Sequence, residues 1–464
     1  MCALLALHVV PIWLAPHYPS QDGPSHLYQA WVLHAWSELP LLQEHFTRNF
    51  APFPNWLGYA LLQPLLALFA PATAEKLLLT LYALTLPLAV LYFAGRARWL
   101  LGLLGFAFVF NFSLQLGLHN FCLSLPLLFA VLGLWRRRRD TMDIGSTLLL
   151  ALLLVLLYFA HIVGLLLALL TLLGIGLLTM RPAVLRSRCL LLAALVPALA
   201  LLAWFLGQQP TNEFRRPEFW PRLLYLVMQR GLIVTDAQLL AAGVLDAILL
   251  GLGFVTLRGR RDGSERAEPA FAWLALVVVA GVLLLPDVLA SGGALVSRLA
   301  LLWPLLLLPA LELPQSRAAL RLLAVAIALV IGSFWITTVG YLRDASHRLE
   351  QYLCATDQVP KRGVVLPVFA SFAAPWNRAH LNPLAHAGNW YALAAEGANL
   401  WNFHATNQNF PVLGRKPPST TELPGGDACV VFWDEERRPQ AAPAGGFRAI
   451  PIPAEPRLLV YVRR

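Results

Sequence analysis

The chain has 464 residues, of which 58% are hydrophobic and only 13% charged, with a formal net charge of +10. A soluble globular domain is about half apolar and about a quarter charged, and a disordered chain combines low hydrophobicity with high charge, so this composition excludes both. The arginines sit in short clusters between long apolar runs, so the positive charge reads as a membrane-topology signal and nucleic acid is not an expected partner.

A membrane-spanning helix needs roughly 20 apolar residues. Runs near 1–16, 74–95, 99–117, 121–135, 145–161, 164–180, 189–206, 236–257, 270–286, 298–311 and 319–342 predict about eleven spans. The first run lacks the basic flank of a cleaved signal peptide. Segment 55–70 is apolar but short, contains Pro64 and begins with Trp56 and Tyr59. It reads as an interfacial or re-entrant helix held at the headgroups by its aromatic rings.

Five basic clusters fall on alternate loops: Arg96 and Arg98; Arg136 to Arg139; Arg181, Arg186 and Arg188; Arg258, Arg260, Arg261 and Arg266; Arg317 and Arg321. Positively charged loops face the cytoplasm. The N-terminus is then cytoplasmic and segment 343–464 lies outside. Of the eleven histidines, all but His8 fall in predicted outer loops, at outer helix ends or in that last segment. The sequence therefore predicts an all-α polytopic membrane domain, 1–342, with outer loops 17–56 and 207–235. A small extracytoplasmic α/β domain, 343–464, follows it.

Loop 17–56 opens with Asp22-Gly23-Pro24-Ser25-His26. Asp is a favoured helix cap and Pro is tolerated in a first turn, so Asp22 is expected to start an amphipathic helix. It is either a plain cap or a carboxylate held at the lipid–water boundary for chemistry. Loop 207–235 carries Arg215, Arg216, Arg222 and Arg230 among Phe214, Phe219, Trp220 and Tyr225. Guanidinium groups pair well with phosphate. This loop is either a cationic lid over a lipid phosphate or a helix on bulk anionic headgroups. Arg298 opens the tenth run and His161 ends the fifth, while His119 and Asn120 lie between the third and fourth. Each is a functional candidate or a helix-end polar group.

Segment 343–464 has three β-like runs, Val364 to Phe369, Cys429 to Trp433 and Leu458 to Val462. Between them, His386 to Tyr391 and Asn399 to His404 place Trp390 and Trp401 among amides and histidines. Such a stretch suits a sugar or headgroup site, and equally a small core with turns. Cys354 and Cys429 are its two cysteines and form a possible disulfide in an oxidising compartment. No P-loop, Gly-x-Ser-x-Gly or His-Glu-x-x-His motif is present.

In organisation, residues 1–342 resemble the GT-C superfamily of integral-membrane glycosyltransferases, which includes protein O-mannosyltransferases and lipid A aminoarabinose transferases. The likeness rests on Asp22-Gly23-Pro24-Ser25-His26-Leu27-Tyr28-Gln29-Ala30 after the first span and on Pro52-Phe53-Pro54-Asn55-Trp56-Leu57-Gly58-Tyr59. It also rests on Arg298-Leu299-Ala300-Leu301-Leu302-Trp303-Pro304, a partial match in which Leu299 replaces the usual aromatic residue. His161 resembles a histidine common in bacterial relatives. The resemblance implies transfer of a sugar, with inversion, from a polyprenyl-phosphate donor to a glycan, lipid or protein acceptor. It implies Asp22 as general base, and Arg298 with Arg215, Arg216 or Arg222 on the donor phosphate. His26, His119, His161, Trp390 and Trp401 are its substrate-binding candidates. One departure stands out: many members carry a second acidic residue in the next outer loop, where this chain has Leu118-His119-Asn120-Phe121. No metal or other cofactor is therefore expected. A bacterial inner membrane is the expected location. A flippase for a lipid-linked sugar and a non-catalytic accessory subunit are the alternatives.

Overall fold

The computed structural model describes residues 1–209, 218–261, 268–288, 293–369, 381–402, 408–415, 427–432 and 446–463. The helices are α1 (Cys2–Val9), α2 (Gly23–His34), α3 (Pro40–His45), α4 (Leu57–Leu68), α5 (Pro71–Ala94), α6 (Trp99–Gly102), α7 (Phe112–Leu116), α8 (His119–Arg138), α9 (Ile144–Ala160), α10 (Ile162–Leu178), α11 (Leu185–Gly207), α12 (Phe219–Val227), α13 (Leu239–Arg261), α14 (Pro269–Leu284), α15 (Leu295–Leu307), α16 (Arg317–Leu353) and α17 (Asn389–Ala395). The strands are β1 (Phe46–Arg48), β2 (Val364–Phe369), β3 (Ala398–Asn399), β4 (Val412–Gly414), β5 (Ala428–Phe432), β6 (Phe447–Pro451) and β7 (Leu458–Arg463).

Among the described residues, five helices are long and apolar enough to cross a membrane: Pro71–Ala94, His119–Arg138, Pro182–Gly207, Asp236–Arg258 and Arg317–Gln358. The expected eleven spans are thus corrected to five. The other predicted runs form shorter apolar helices of 10–17 residues or break up. Composition registers an apolar run but not the residue that interrupts it. The runs 145–161 and 164–180 form two helices as expected, parted at His161, but each has only 17 residues. The run 99–117 breaks into α6, a 3-10 turn at Leu103–Phe106, and α7. Helix α4 has 12 residues, about 18 Å at 1.5 Å per residue. That is short of the ~30 Å hydrocarbon core. Leu178, Leu240, Leu250, Trp273 and Leu322 are all at least 70% exposed. Long apolar helices with such outward faces are the make-up of a helical membrane protein.

The chain divides into two compact units. The first comprises Met1–Val10, Thr80–Leu114 and Asn120–Val339; the second comprises Pro11–Leu79, Gln115–His119 and Gly340–Arg464. In the first unit, α9 packs on α10 and α11, and α14 on α15. Its arginine-bearing loops are bonded to one another. Arg98 Nε donates to Leu311 O at 2.7 Å. Arg136 donates to Phe93 O and Ala94 O and meets Glu268 at 2.5 Å. Arg188 donates to Arg139 O, to Gly176 O at 3.2 Å and to Asp140 at 3.1 Å. The basic loops thus gather at one end of this unit.

The second unit holds a five-stranded mixed sheet in the order β3-β2-β5-β7-β6. β2 runs parallel to β3 and β5, while β5–β7 and β7–β6 are antiparallel. The central strands Val-Val-Leu-Pro-Val-Phe and Ala-Cys-Val-Val-Phe are apolar and β-branched, the composition that favours central strands. All three predicted β-runs are found here. The β-branched pattern did not mark the short β1, β3 and β4, or β6. The Cys429 side chain lies outside the described residues, and so does the expected pairing with Cys354.

The sequence reading divides the chain at 342, whereas the compact second unit also takes in 11–79. Two contacts account for this. β1 pairs antiparallel with β4, Phe46 opposite Gly414 and Arg48 opposite Val412. Tyr28 Oη donates to Gly397 O at 3.0 Å and accepts from Asn399 N at 2.8 Å. Loop 17–56 and the sheet-bearing segment therefore share one core.

Candidate functional site

Asp22 begins α2. Its carbonyl accepts from Ser25 N at 3.0 Å and His26 N at 3.2 Å, and its own N–H donates to Leu116 O at 2.8 Å. The approach of loop 115–119 to this turn requires glycine at 117. Gly117 has φ +91°, and a Cβ there would sit 2.2 Å from Gly23 N and 2.9 Å from Asp22 N.

Although Asp22 occupies the cap position, its side chain makes no capping hydrogen bond. Its Oδ1 accepts instead from Gln21 Nε2 at 3.3 Å and lies 3.6 Å from His386 Nε2. Gln21 Oε1 in turn accepts from Asn382 N at 3.0 Å, which fixes the amide beside the carboxylate. Burial pushes the His386 imidazole down to about 4, so it is neutral at pH 7. The pair is a carboxylate facing a neutral imidazole, the two partners a proton-accepting site uses. Asp22 remains 14% exposed and His386 27%.

The remaining candidates of the second unit divide into a buried group and one exposed ring. His26 Nδ1 lies 2.7 Å from Tyr59 Oη, and its ring is 5.9 Å from that of His119. His119 Nε2 faces Glu75 Oε1 at 3.6 Å. Trp390 is buried edge-on to His17 at 4.5 Å. Trp401 is 37% exposed and offers a ring to solvent. Of the two readings of the amide-rich stretch, its described asparagines follow the small core with turns. Asn389 donates to Ser25 Oγ and accepts from Asn399, both at 2.9 Å, and Asn402 donates to Ser25 O at 3.5 Å. These side chains hold α2 to the sheet-bearing segment.

In the first unit, Arg298 stands near the start of α15, its guanidinium 5.6 Å from the Phe121 ring. His161 packs edge-on against the same ring at 5.2 Å. His161 also caps α10, accepting from Val163 N at 3.2 Å. Arg222 donates to Val282 O at 2.9 Å and Leu285 O at 2.6 Å, closing the end of α14. Around it, Phe219, Trp220, Leu224 and Val227 are exposed, the face an interfacial helix presents to lipid. Arg215 and Arg216 lie outside the described residues. Among the described residues, no three His, Cys, Asp or Glu side chains converge as metal ligands.

Sequence reasoning passed over Glu75 and His386 as site residues. Glu75 is an acidic residue within the apolar run 74–95, the one signal that could have marked it. His386 had no signal beyond its aromatic neighbours. No protein-family model matches the chain, and no curated protein matches it significantly.

Proposed function

We propose that the chain is an integral-membrane glycosyltransferase. It moves a sugar from a polyprenyl-phosphate donor to an acceptor glycan, lipid or protein on the extracytoplasmic face, with Asp22 as general base. The observation that carries this reading is the Asp22 carboxylate, turned away from the helix it begins and towards His386. An acceptor hydroxyl or amine gives its proton to Asp22 as it attacks the anomeric carbon. The bond from that carbon to the phosphate oxygen breaks, and the electron pair leaves with the lipid phosphate. A single displacement of this kind inverts the anomeric centre. As in the family the chain resembles, Arg298 with Arg215, Arg216 or Arg222 stabilises the charge growing on the phosphate. The gathering of the arginine loops at one end of the first unit supports a cytoplasmic face there, and a bacterial inner membrane suits that topology.

The test is sugar transfer by the purified chain in detergent with a panel of polyprenyl-phosphate sugars, comparing wild type with Asp22→Asn. Transfer is expected in wild type and to fall about 10²–10⁴-fold in the variant, the usual contribution of a general base. Undiminished transfer by Asp22→Asn overturns the base assignment. Donor binding without turnover in either protein favours a flippase or an accessory subunit.

A further inference from the structure

The first turn of α5 and the start of α8 bury a second pair of ionisable groups. Glu75 has no exposure and His119 has 3%. Among the described residues, neither oxygen of Glu75 and neither ring nitrogen of His119 has a hydrogen-bond partner, and Ser20 Oγ is in the same condition. The nearest approach is Glu75 Oε1 to His119 Nε2, at 3.6 Å. All three side chains crowd the first residue of α2. A Cβ on Gly23 would lie 2.0 Å from Ser20 Oγ, 2.8 Å from Glu75 Oε1 and 3.1 Å from His119 Cε1.

Each unmet buried polar atom costs about 1–3 kcal/mol, and an unpaired buried carboxylate costs more. One proton shared between Glu75 Oε1 and His119 Nε2 pairs two of those atoms and leaves the couple with no net charge. Placed on Glu75, it can be donated towards His119 Nε2; placed on Nε2, it can be donated to the carboxylate. Both arrangements are net neutral, and a movement of a few tenths of an ångström brings the pair to hydrogen-bond distance. The tight contacts at Gly23 suit a ligand no larger than a proton.

We infer that Glu75 and His119 share one exchangeable proton and act as a single acid–base couple beside Asp22. Among the described residues, ionisable groups near it lie on α5, α2 and the turn before α2, with a further carboxylate on α16 reaching Lys76. On α5, Lys76 follows Glu75, with Nζ 3.1 Å from Ala15 O and within electrostatic reach of Glu350 on α16. On α2 stands His26, bonded to Tyr59 of α4, and Asp22 directly precedes Gly23. Losing the shared proton leaves a net negative charge beside the residue after Asp22. Where Asp22 serves as the base of sugar transfer, the couple supplies a second ionisation to the pH–rate profile. That role rests on the proposed function; the couple itself does not.

Infrared difference spectroscopy of the full chain in lipid nanodiscs, titrated with pH, reads the couple directly. In wild type, the carboxylic-acid carbonyl band and an imidazole ring band are expected to change together in one step. Glu75→Gln, close in shape, removes the acid band. His119→Asn moves the midpoint of that band by at least about 1 pH unit, as coupled sites require. Identical spectra for wild type and Glu75→Gln, or an unmoved midpoint in His119→Asn, overturn the proposal. Thermal unfolding of both variants reports that each is folded. Absence of sugar transfer in every protein would defeat the glycosyltransferase reading while leaving the infrared result intact.

Discussion

Arg188 in the first unit and Glu75 in the second are both buried ionisable residues, at 3% and 0% exposure. Their surroundings differ completely. Arg188 donates to the carbonyls of Arg139, Gly176 and Thr179 and to Asp140. Among the described residues, Glu75 makes no hydrogen bond and its nearest ionisable partner is a histidine at 3.6 Å. A guanidinium offers five donors, and helix ends offer carbonyls with no partner inside the helix. Burying an arginine among helix ends is therefore a structural solution. Burying a carboxylate where no donor among the described residues reaches it is not, and this sets Glu75 apart from Arg188.

Three changes break or sharpen that contrast. The largest effect is expected from Gly117→Val in the second unit. A β-branched residue at φ +91° is strained, and its Cβ collides with backbone at 2.2 Å. A loss of about 4 kcal/mol, or failure to fold, should appear in thermal unfolding. A variant as stable as wild type would show that the approach of loop 115–119 to Asp22 is not needed. Next comes Arg188→Ala, which removes charge-assisted hydrogen bonds to helix-end carbonyls. A loss of about 2 kcal/mol is expected. An unchanged unfolding temperature would reduce the arginine clusters to topology signals alone.

The smallest effect is a pH dependence from His386. Its folded value, about 4, lies below the ordinary 6.5. The unfolded chain then binds the extra proton first, so stability is complete above about pH 6.5 and is lost as pH falls towards 4. Between pH 7 and 6 the loss is about 0.7 kcal/mol. Thermal unfolding at both values should show it in wild type and not in His386→Asn; equal slopes in the two proteins would remove His386 as its source.

Asp22 was legible because Asp-Gly-Pro-Ser places a carboxylate at a helix start, a local pattern. The arginine loops were legible because charge between apolar runs is also local. The number of spans was not, since hydropathy marks an apolar run but not how many of its residues join one helix, as the break-up of 99–117 into short turns shows. Glu75 and His119 are 44 positions apart in sequence, and no periodicity links them. The same holds for His386, which reaches Asp22 only through the tertiary fold. Trp390 and the asparagines near it had the right chemistry for sugar, but burial gave them to the core.

The pairing of β1 with β4 has a bearing on synthesis. Arg48 lies opposite Val412. A ribosome adding about 5–20 residues per second makes the partner strand roughly 20–70 s after the first. For that interval the early loop has neither its strand partner nor the amides that later hold Ser25. It must wait, unpaired, while every helix from α4 to α16 is translated, and such a wait is when a chaperone or a translocation partner would find it.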